Sequence, residues 1–489
     1  MLDKATTLKR TNAIVILFAL CILLLAALRG YFRADDFGQL RIIKFDVMPH
    51  PVKIITESET SLAGHYRPMV TMSFWVNYLV FGLKPLGYFV VLIAIFLLTL
   101  YMFFLLVKIL SGNVLGAYCA VLLFVLQGNT YLYTVNWITT ASVPLSGLFV
   151  IMTLFFYIKS TMTVYRANLY SFLSFISFSL GLLSREVAIV TIPVLLAYDF
   201  LFLWLEAPDK IEVLRKRFSS HVPFWVLLVA YVFVRSAVPG TLGLSGKGSY
   251  TFILGTNVLN NLIFYGMQLG FLPIAVLLLS IPSLFLGKLQ LAKRDLKLIA
   301  LGIFLAVGAI LPLLFFRWTS PTWVYLSAFG TTLASSTLFQ RVFSDSSRKK
   351  GALLFYGTLI CALVGSFLLF SRLSEARWWQ WGTYSRNVIE QVKAYYPNLP
   401  SEATLYFIDK NEQEPYGIEG LFRFNLYLGS AFQVWYDDPS LHAYIMDEAS
   451  LIEAVVEEKR DEGISAIFVF EYDEGSILDK TSWFQGLGE

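Results

Sequence analysis

The chain has 489 residues, of which 57% are hydrophobic and only 15% charged. A soluble domain carries about one quarter charged residues, so a cytosolic enzyme, a disordered scaffold and a secreted disulfide module are excluded in favour of a polytopic membrane protein. Net charge is +4, but residues 1–370 hold 29 Lys and Arg against 13 Asp and Glu, whereas residues 371–489 hold 9 against 21. A basic membrane-embedded body thus precedes an acidic, water-soluble tail, and the basic excess reads as loop topology rather than as a nucleic-acid surface.

A membrane helix needs about 20 mostly apolar residues. Segments of this kind fall near 12–31, 86–107, 114–128, 143–158, 170–183, 187–204, 221–236, 262–286, 298–316, 322–340 and 352–370. The first follows Lys4, Lys9 and Arg10 and looks like a signal peptide, but it is read as a retained span. With the N-terminus inside, the cytoplasmic loops collect the clusters Lys210–Arg217, Lys288–Lys297 and Arg348–Lys350, while the short loops opposite hold only Arg185, Arg235, Lys247 and Arg317. That bias sets orientation, and it predicts an extracytoplasmic C-terminal domain.

The first external loop, roughly 32–85, is long. Its later part, Tyr66 to Phe81, reads as a helix with Pro68 in its first turn and Gly82 at its end. The charge rule is kept only if this helix lies in the interface instead of crossing. Residues 255–287 are too long for one upright span. Asn257, Asn261 and Gln268 share one helical face there, either as a polar groove or as packing between helices. Past the last span, Trp378, Trp379 and Trp381 suit an interfacial belt. Strands are expected at Thr404–Ile408, Phe432–Tyr436 and Ile464–Phe470, with a helix at Ala449–Glu462, making a small α/β domain. This domain shows no catalytic motif and reads as a cap or acceptor-docking module.

Cys21, Cys119 and Cys361 all lie in apolar runs, and His50, His65, His221 and His442 are far apart, so neither a disulfide framework nor a zinc site is expected. Few ionisable groups lie deep in the spans; Asp199, His221 and Arg235 are near span ends. Ion-coupled transport needs intramembrane charge, so a pump or exchanger is disfavoured. The candidate groups gather instead at external span ends: Asp35 and Asp36, His65 and Arg67, Arg185 and Glu186, and Arg317. Adjacent carboxylates can act as a base with its orienting partner, or share a divalent cation; a lone pair is more often a solvated loop, and the company of several cations at the same face favours function here. Arginines that converge make a phosphate site. A lipid-phosphate sugar donor needs only these parts, because its leaving group is already good and no second carboxyl is required to protonate it.

Four places carry a resemblance. Ala34-Asp35-Asp36-Phe37 follows the first span. His65-Tyr66-Arg67-Pro68-Met69 precedes Phe81-Gly82-Leu83-Lys84-Pro85. Val135-Asn136-Trp137-Ile138 forms an external turn, and Leu183-Ser184-Arg185-Glu186 leads to Pro193 and Tyr198-Asp199. In this order the chain resembles the GT-C superfamily of membrane glycosyltransferases, nearest its protein O-mannosyltransferase-like branch, over roughly the first 200 residues. The resemblance implies a polytopic α-helical membrane protein of about eleven spans with a small extracytoplasmic α/β domain. It implies a polyprenyl- or dolichyl-phosphate sugar donor, a protein, glycan or lipid acceptor, and inverting transfer in the cell envelope. Asp35 would be the base with Asp36 in support. Arg185 would neutralise the lipid phosphate, joined by Arg317, and His65, Tyr66, Arg67 and Glu186 would line the donor site. Arg185 stands where the family has lysine, which keeps the charge and changes its geometry. A flippase for lipid-linked sugars and a non-enzymatic assembly protein are the alternatives. If the membrane body is catalytic, removal of residues 400–489 is expected to leave activity standing.

Overall fold

The computed structural model describes residues 24, 27–56, 65–237, 252–285, 291–345, 382–409, 429–448, 451–452, 466–473 and 476–486. Most of the first and all of the last expected span lie outside these residues. So do Trp378, Trp379, Trp381 and most of the 449–462 helix. The chain falls into two compact units, one of Met1–Leu25, Glu57–Val70 and Val90–Ser374, the other of Ala26–Thr56, Thr71–Phe89 and Glu375–Glu489.

The first unit is a helical bundle. Its described helices sit where the apolar runs place them: Val114–Leu126, Ser142–Met162, Ala167–Ser184, Lys210–Ala237, Thr256–Phe285, Lys293–Ile310 and Tyr325–Asp345. The Pro85–Ser111 helix runs into it, and a helical stretch from Glu186 to Trp204 changes pitch twice along its length. Six of these elements are long and apolar enough to cross a membrane, and the chain is an integral membrane protein of mostly helical build. Side chains such as Val226, Phe233, Phe304 and Val307 are more than half exposed; in lipid such surface needs no burial.

Close packing explains two glycines. The Lys293–Ile310 and Tyr325–Asp345 helices cross at Gly302 and Gly330, and a Cβ on either glycine would run into the other's carbonyl oxygen. Small residues at such crossings let backbones meet, which is how helices associate when lipid supplies no hydrophobic drive. Beside them Phe124 stacks on Phe329 at 4.2 Å and Phe96 on Tyr131 at 4.6 Å. Asn261, one of the polar residues on the 256–285 helix, donates from Nδ2 to the carbonyls of Leu314 and Phe316 at 2.9 and 2.8 Å. At that residue the polar strip is packing between elements, satisfying carbonyls freed where the Leu311–Phe315 turn ends.

The second unit contains a four-stranded sheet in the order β2-β1-β3-β4, with β1 Thr404–Asp409, β2 His442–Met446, β3 Ile467–Asp473 and β4 Ser476–Asp479. β1 runs parallel to both β2 and β3, and β4 returns antiparallel. A parallel core must be covered on both faces. On one face Phe407 stacks between Phe432 and Phe470, with Tyr396 against Phe468. On the other, Tyr406, Ile408 and Val469 pack with Leu451 and Phe484.

One expected strand is a helix. Ser430–Tyr436 winds from Gly429 at φ 91° to Asp437 at φ 61°, two left-handed residues that begin and stop it. Its buried positions Ala431, Phe432 and Val434 lie on one side, facing the sheet at Phe407. The short run Phe-Gln-Val-Trp-Tyr matches a strand and a buried helix equally well, and the left-handed terminal residues decide it.

Candidate active site

In the first unit, three separate segments bring their polar residues together. The Pro68–Phe81 helix starts at Pro68, whose missing N–H costs nothing in the first turn. Arg67, just ahead of it, caps the turn through its carbonyl, which accepts from Val70 N at 2.9 Å. The Ala167–Ser184 helix ends at Arg185, which is extended at φ −165°, ψ 142°, and the chain re-enters a tight helix at Glu186. This break turns Arg185 and Glu186 out of the apolar hairpin.

Glu186 is the hub. Arg67 Nη2 lies 3.3 Å from its Oε2 and 3.4 Å from its Oε1, and Arg67 Nε is 3.4 Å from Oε2. Arg235 Nη2, from the last turn of the Lys210–Ala237 helix, lies 3.2 Å from Oε1. Arg185 is only 9% exposed, and its charge reaches both Glu186 and His65. Three guanidiniums thus gather at the Glu186 carboxylate, each carrying five donors in a fixed fork.

His65 sits at the edge of this cluster, with Nδ1 3.7 Å from Glu186 Oε1, too far for a hydrogen bond. Burial first, and then the neighbouring Arg67 charge, pushes its pKa down to about 3. It is neutral at physiological pH and adds no charge. Tyr66 is buried, its ring 6.4 Å from that of Tyr231, and Tyr231 accepts a long contact of 3.5 Å from Arg235 Nη1. Burial raises the Tyr66 pKa as well.

Arg317 is not part of this group. It is exposed on the turn after Leu311–Phe315, and no ion pair ties it to the cluster among the described residues. Arg235 takes the place expected of it. The sequence marked Arg235 as one of the few cations on the non-cytoplasmic side, but nothing in the linear order joins it to Glu186.

The two aspartates belong to the second unit and differ sharply. Ala34 stands at φ 49°, ψ −128°, a left-handed conformation that side chains disfavour, and Asp36 N closes the turn onto Arg33 O at 3.0 Å. Asp36 is fully buried, and its Oδ2 accepts from Arg33 N at 3.1 Å. Asp35, the first residue of the Asp35–Arg41 helix, remains partly accessible and has no ion pair or side-chain hydrogen bond among the described residues. Burial raises its pKa above the ordinary carboxylate value. As donors for a divalent cation the pair is poor: one carboxylate is buried and committed, and such ions take six or more oxygens. No group of three His, Cys, Asp or Glu side chains gathers as a metal site among the described residues.

A second polar cluster joins helices of the first unit. Asp199 Oδ2 accepts from Tyr157 Oη at 2.6 Å and lies 2.9 Å from His221 Nε2, which is itself 3.2 Å from Tyr157 Oη. All three are buried, and the cluster ties the Ser142–Met162 and Lys210–Ala237 helices to the turn at Asp199.

No family model matches the chain, and no curated protein matches it in sequence. Solved structures do. ArnT from Cupriavidus metallidurans in the apo state aligns with a TM-score of 0.56 at 14% identity, over 94% of this chain and 93% of that one. The same protein bound to undecaprenyl phosphate aligns with a TM-score of 0.56 at 13% identity, over 94% and 92%. The oligosaccharyltransferase of Archaeoglobus fulgidus in the apo form gives 0.43 at 14%, over 83% and 63%. The chain shares the fold of ArnT over most of its length, its own part in that fold being a helical body with a small C-terminal sheet.

Proposed function

We propose that the chain is a membrane glycosyltransferase. It transfers a sugar from a polyprenyl-phosphate-linked donor to an acceptor hydroxyl at the extracytoplasmic face, with inversion at the anomeric carbon. The observation that carries this reading is the gathering of Arg67, Arg185 and Arg235 around the carboxylate of Glu186. Guanidiniums converging from separate helix ends suit a phosphate headgroup, which their planar forks can grip bidentately. The fold it shares with ArnT, a protein whose structure is known with undecaprenyl phosphate bound, points the same way.

Asp35 is the base in this scheme and Asp36 its anchor. Asp36 is buried and holds the turn through Arg33 N, so it has little left to offer a substrate. Asp35 is accessible, unpartnered among the described residues and more basic than usual. Its carboxylate takes the acceptor's hydroxyl proton as that oxygen attacks the anomeric carbon. The bond from that carbon to the phosphate oxygen breaks, and the lipid phosphate leaves with the electron pair, stabilised by the arginines. No proton has to be delivered to it.

The O-mannosyltransferase-like motifs favour a hexose donor and a protein, glycan or lipid hydroxyl as acceptor, in the cell envelope of a bacterium. The catalytic body comprises residues 1–370, with the N-terminus cytoplasmic and residues 371–489 outside. The test is mass spectrometry of lipids that co-purify with the protein. Polyprenyl phosphate and its glycosylated form should accompany the wild type and be depleted with Arg185→Ala; equal retention by both proteins would remove the phosphate site from the account.

A further inference from the structure

The turn that carries Asp35 is built into the second unit by contacts from the C-terminal domain. Trp435, on the Ser430–Tyr436 helix, has its ring centroid 5.9 Å from Tyr31, 6.0 Å from Phe32 and 5.7 Å from Phe37. Phe32 and Phe37 are fully buried and flank Ala34-Asp35-Asp36 in the chain. A second set of contacts fixes the far end of the same segment. Arg41 Nε donates to Gln433 Oε1 at 2.7 Å, and Lys44 Nζ donates to Val434 O at 2.8 Å while pairing with Asp437 at 2.8 Å. The lysine thus meets a carbonyl in the last turn of a helix, where backbone acceptors lack partners and a cation is favoured.

These contacts matter because the segment is poorly equipped to hold itself. The Asp35–Arg41 helix, continued by a wider helical turn over Ile42–Val47, is still short enough to be only marginal alone. Its entry residue Ala34 sits in a strained conformation that persists only where surrounding structure imposes it. The structure that meets it is a helix nearly 400 residues away in sequence, with 392 positions separating Arg41 from its partner Gln433.

We infer that the C-terminal domain is a positioning element of the catalytic centre, with Trp435 and the Lys44–Asp437 clasp holding the Ala34–Asp36 turn so that Asp35 is aimed at the acceptor. This inference rests on Asp35 being the base. It gives the domain a part in turnover itself and runs against the expectation that activity survives its loss. Trp435 and Lys44 act through Asp35 and touch no substrate.

The experiment measures kcat and donor KM on full-length reconstituted protein for Trp435→Ala, Trp435→Phe, Lys44→Met and Asp35→Asn. A base misplaced by about 1 Å costs on the order of a hundredfold in rate, so Trp435→Ala should lower kcat by about ten- to a hundredfold with donor KM changed less than about twofold. Trp435→Phe, which keeps a ring against Phe32 and Phe37, should recover most of the rate, and Lys44→Met should lower kcat in the same direction. If Trp435→Ala does not fold, Lys44→Met and Trp435→Phe carry the comparison. Wild-type kcat in Trp435→Ala or, where it is not folded, in Lys44→Met, with Asp35→Asn inactive, overturns the inference and leaves Asp35 as the base. Full activity in Asp35→Asn overturns the assignment of Asp35 itself, and the inference with it.

Discussion

Arg67 reaches both carboxylate oxygens of Glu186, at 3.4 Å and 3.3 Å from one terminal nitrogen. The two residues come from different helix starts, 119 residues apart. The distances are longer than the 2.7–2.9 Å usual for charged pairs, and the carboxylate is shared with Arg235 at 3.2 Å. Glu186 therefore holds the Arg67 and Arg235 guanidiniums at one place. In the proposed reaction it keeps mutually repelling cations together until a phosphate arrives.

Loss of that carboxylate should be costly before substrate binds. Removing one partner from a fully buried ionic group costs about 3–5 kcal/mol; Glu186 is partly exposed, so Glu186→Ala should melt below wild type in detergent by less than that figure implies. Polyprenyl phosphate should restore more of the lost stability in Glu186→Ala than it adds to wild type, because it supplies the missing negative charge. Thermal shifts with and without the lipid make the comparison; an identical increment in both proteins would speak against a shared anion site.

Arg235 should behave as a donor-binding residue. A hydrogen bond to a charged group contributes about 1.5–3 kcal/mol, so Arg235→Ala should raise the donor KM by about ten- to a hundredfold. Its kcat should change less, and Arg317→Ala, on an exposed turn, should change neither by more than about twofold. Steady-state kinetics at varied donor concentration decide this.

His65 ties stability to pH. Its pKa is held near 3 in the folded protein against about 6.5 when unfolded. The folded state keeps it neutral while the unfolded chain takes up a proton, so its contribution is intact above about pH 6.5 and declines as pH falls from there towards 3. The slope is at most about 1.4 kcal/mol per pH unit. His65→Gln should flatten the fall in melting temperature across this window. A melting profile as steep as wild type would show that His65 does not titrate this way.

Asp35 sets the acid limb of the rate. The group must be ionised to accept a proton, and burial raises its pKa. Activity should therefore be lost as pH falls through a value above the ordinary carboxylate pKa of about 3.9. A kcat profile flat down to that value would argue against a buried base.

Ala34 offers a test of stored strain. Its φ of 49° is a position where glycine is at ease. Relief of a strained residue is worth on the order of 1–3 kcal/mol, so Ala34→Gly should stabilise the protein, while Ala34→Val should destabilise it. Chemical or thermal denaturation in detergent reads both signs.

The membrane helices were legible because a span is a long apolar run whose length is fixed by the bilayer. The small domain was legible only in part. Thr404–Asp409 and Ile467–Asp473 were visible as β-rich runs, but His442–Met446 and Ser476–Asp479 are too short to stand out. In sequence Phe432–Tyr436 reads as a strand, because the left-handed conformations of Gly429 and Asp437 that delimit the Ser430–Tyr436 helix are a property of the backbone.

In the site, Arg67, Arg185, Glu186 and His65 could be picked out because charge is rare in an apolar chain and each sits beside a helix break. Arg235 was noted only as a loop charge, since its pairing with Glu186 depends on how two helices meet. Asp35 and Asp36 are equivalent in sequence. The turn at Ala34 separates them, sending one carboxylate inward to Arg33 N and leaving the other accessible.

The most direct test is sugar transfer by the purified protein in liposomes carrying a glycosylated polyprenyl phosphate, with wild type and Asp35→Asn compared at matched thermal stability. The account predicts turnover by the wild type, release of polyprenyl phosphate with inverted product, and background rates for Asp35→Asn. Equal turnover by both proteins, or passage of the lipid-linked sugar across the bilayer with no transfer, would contradict it.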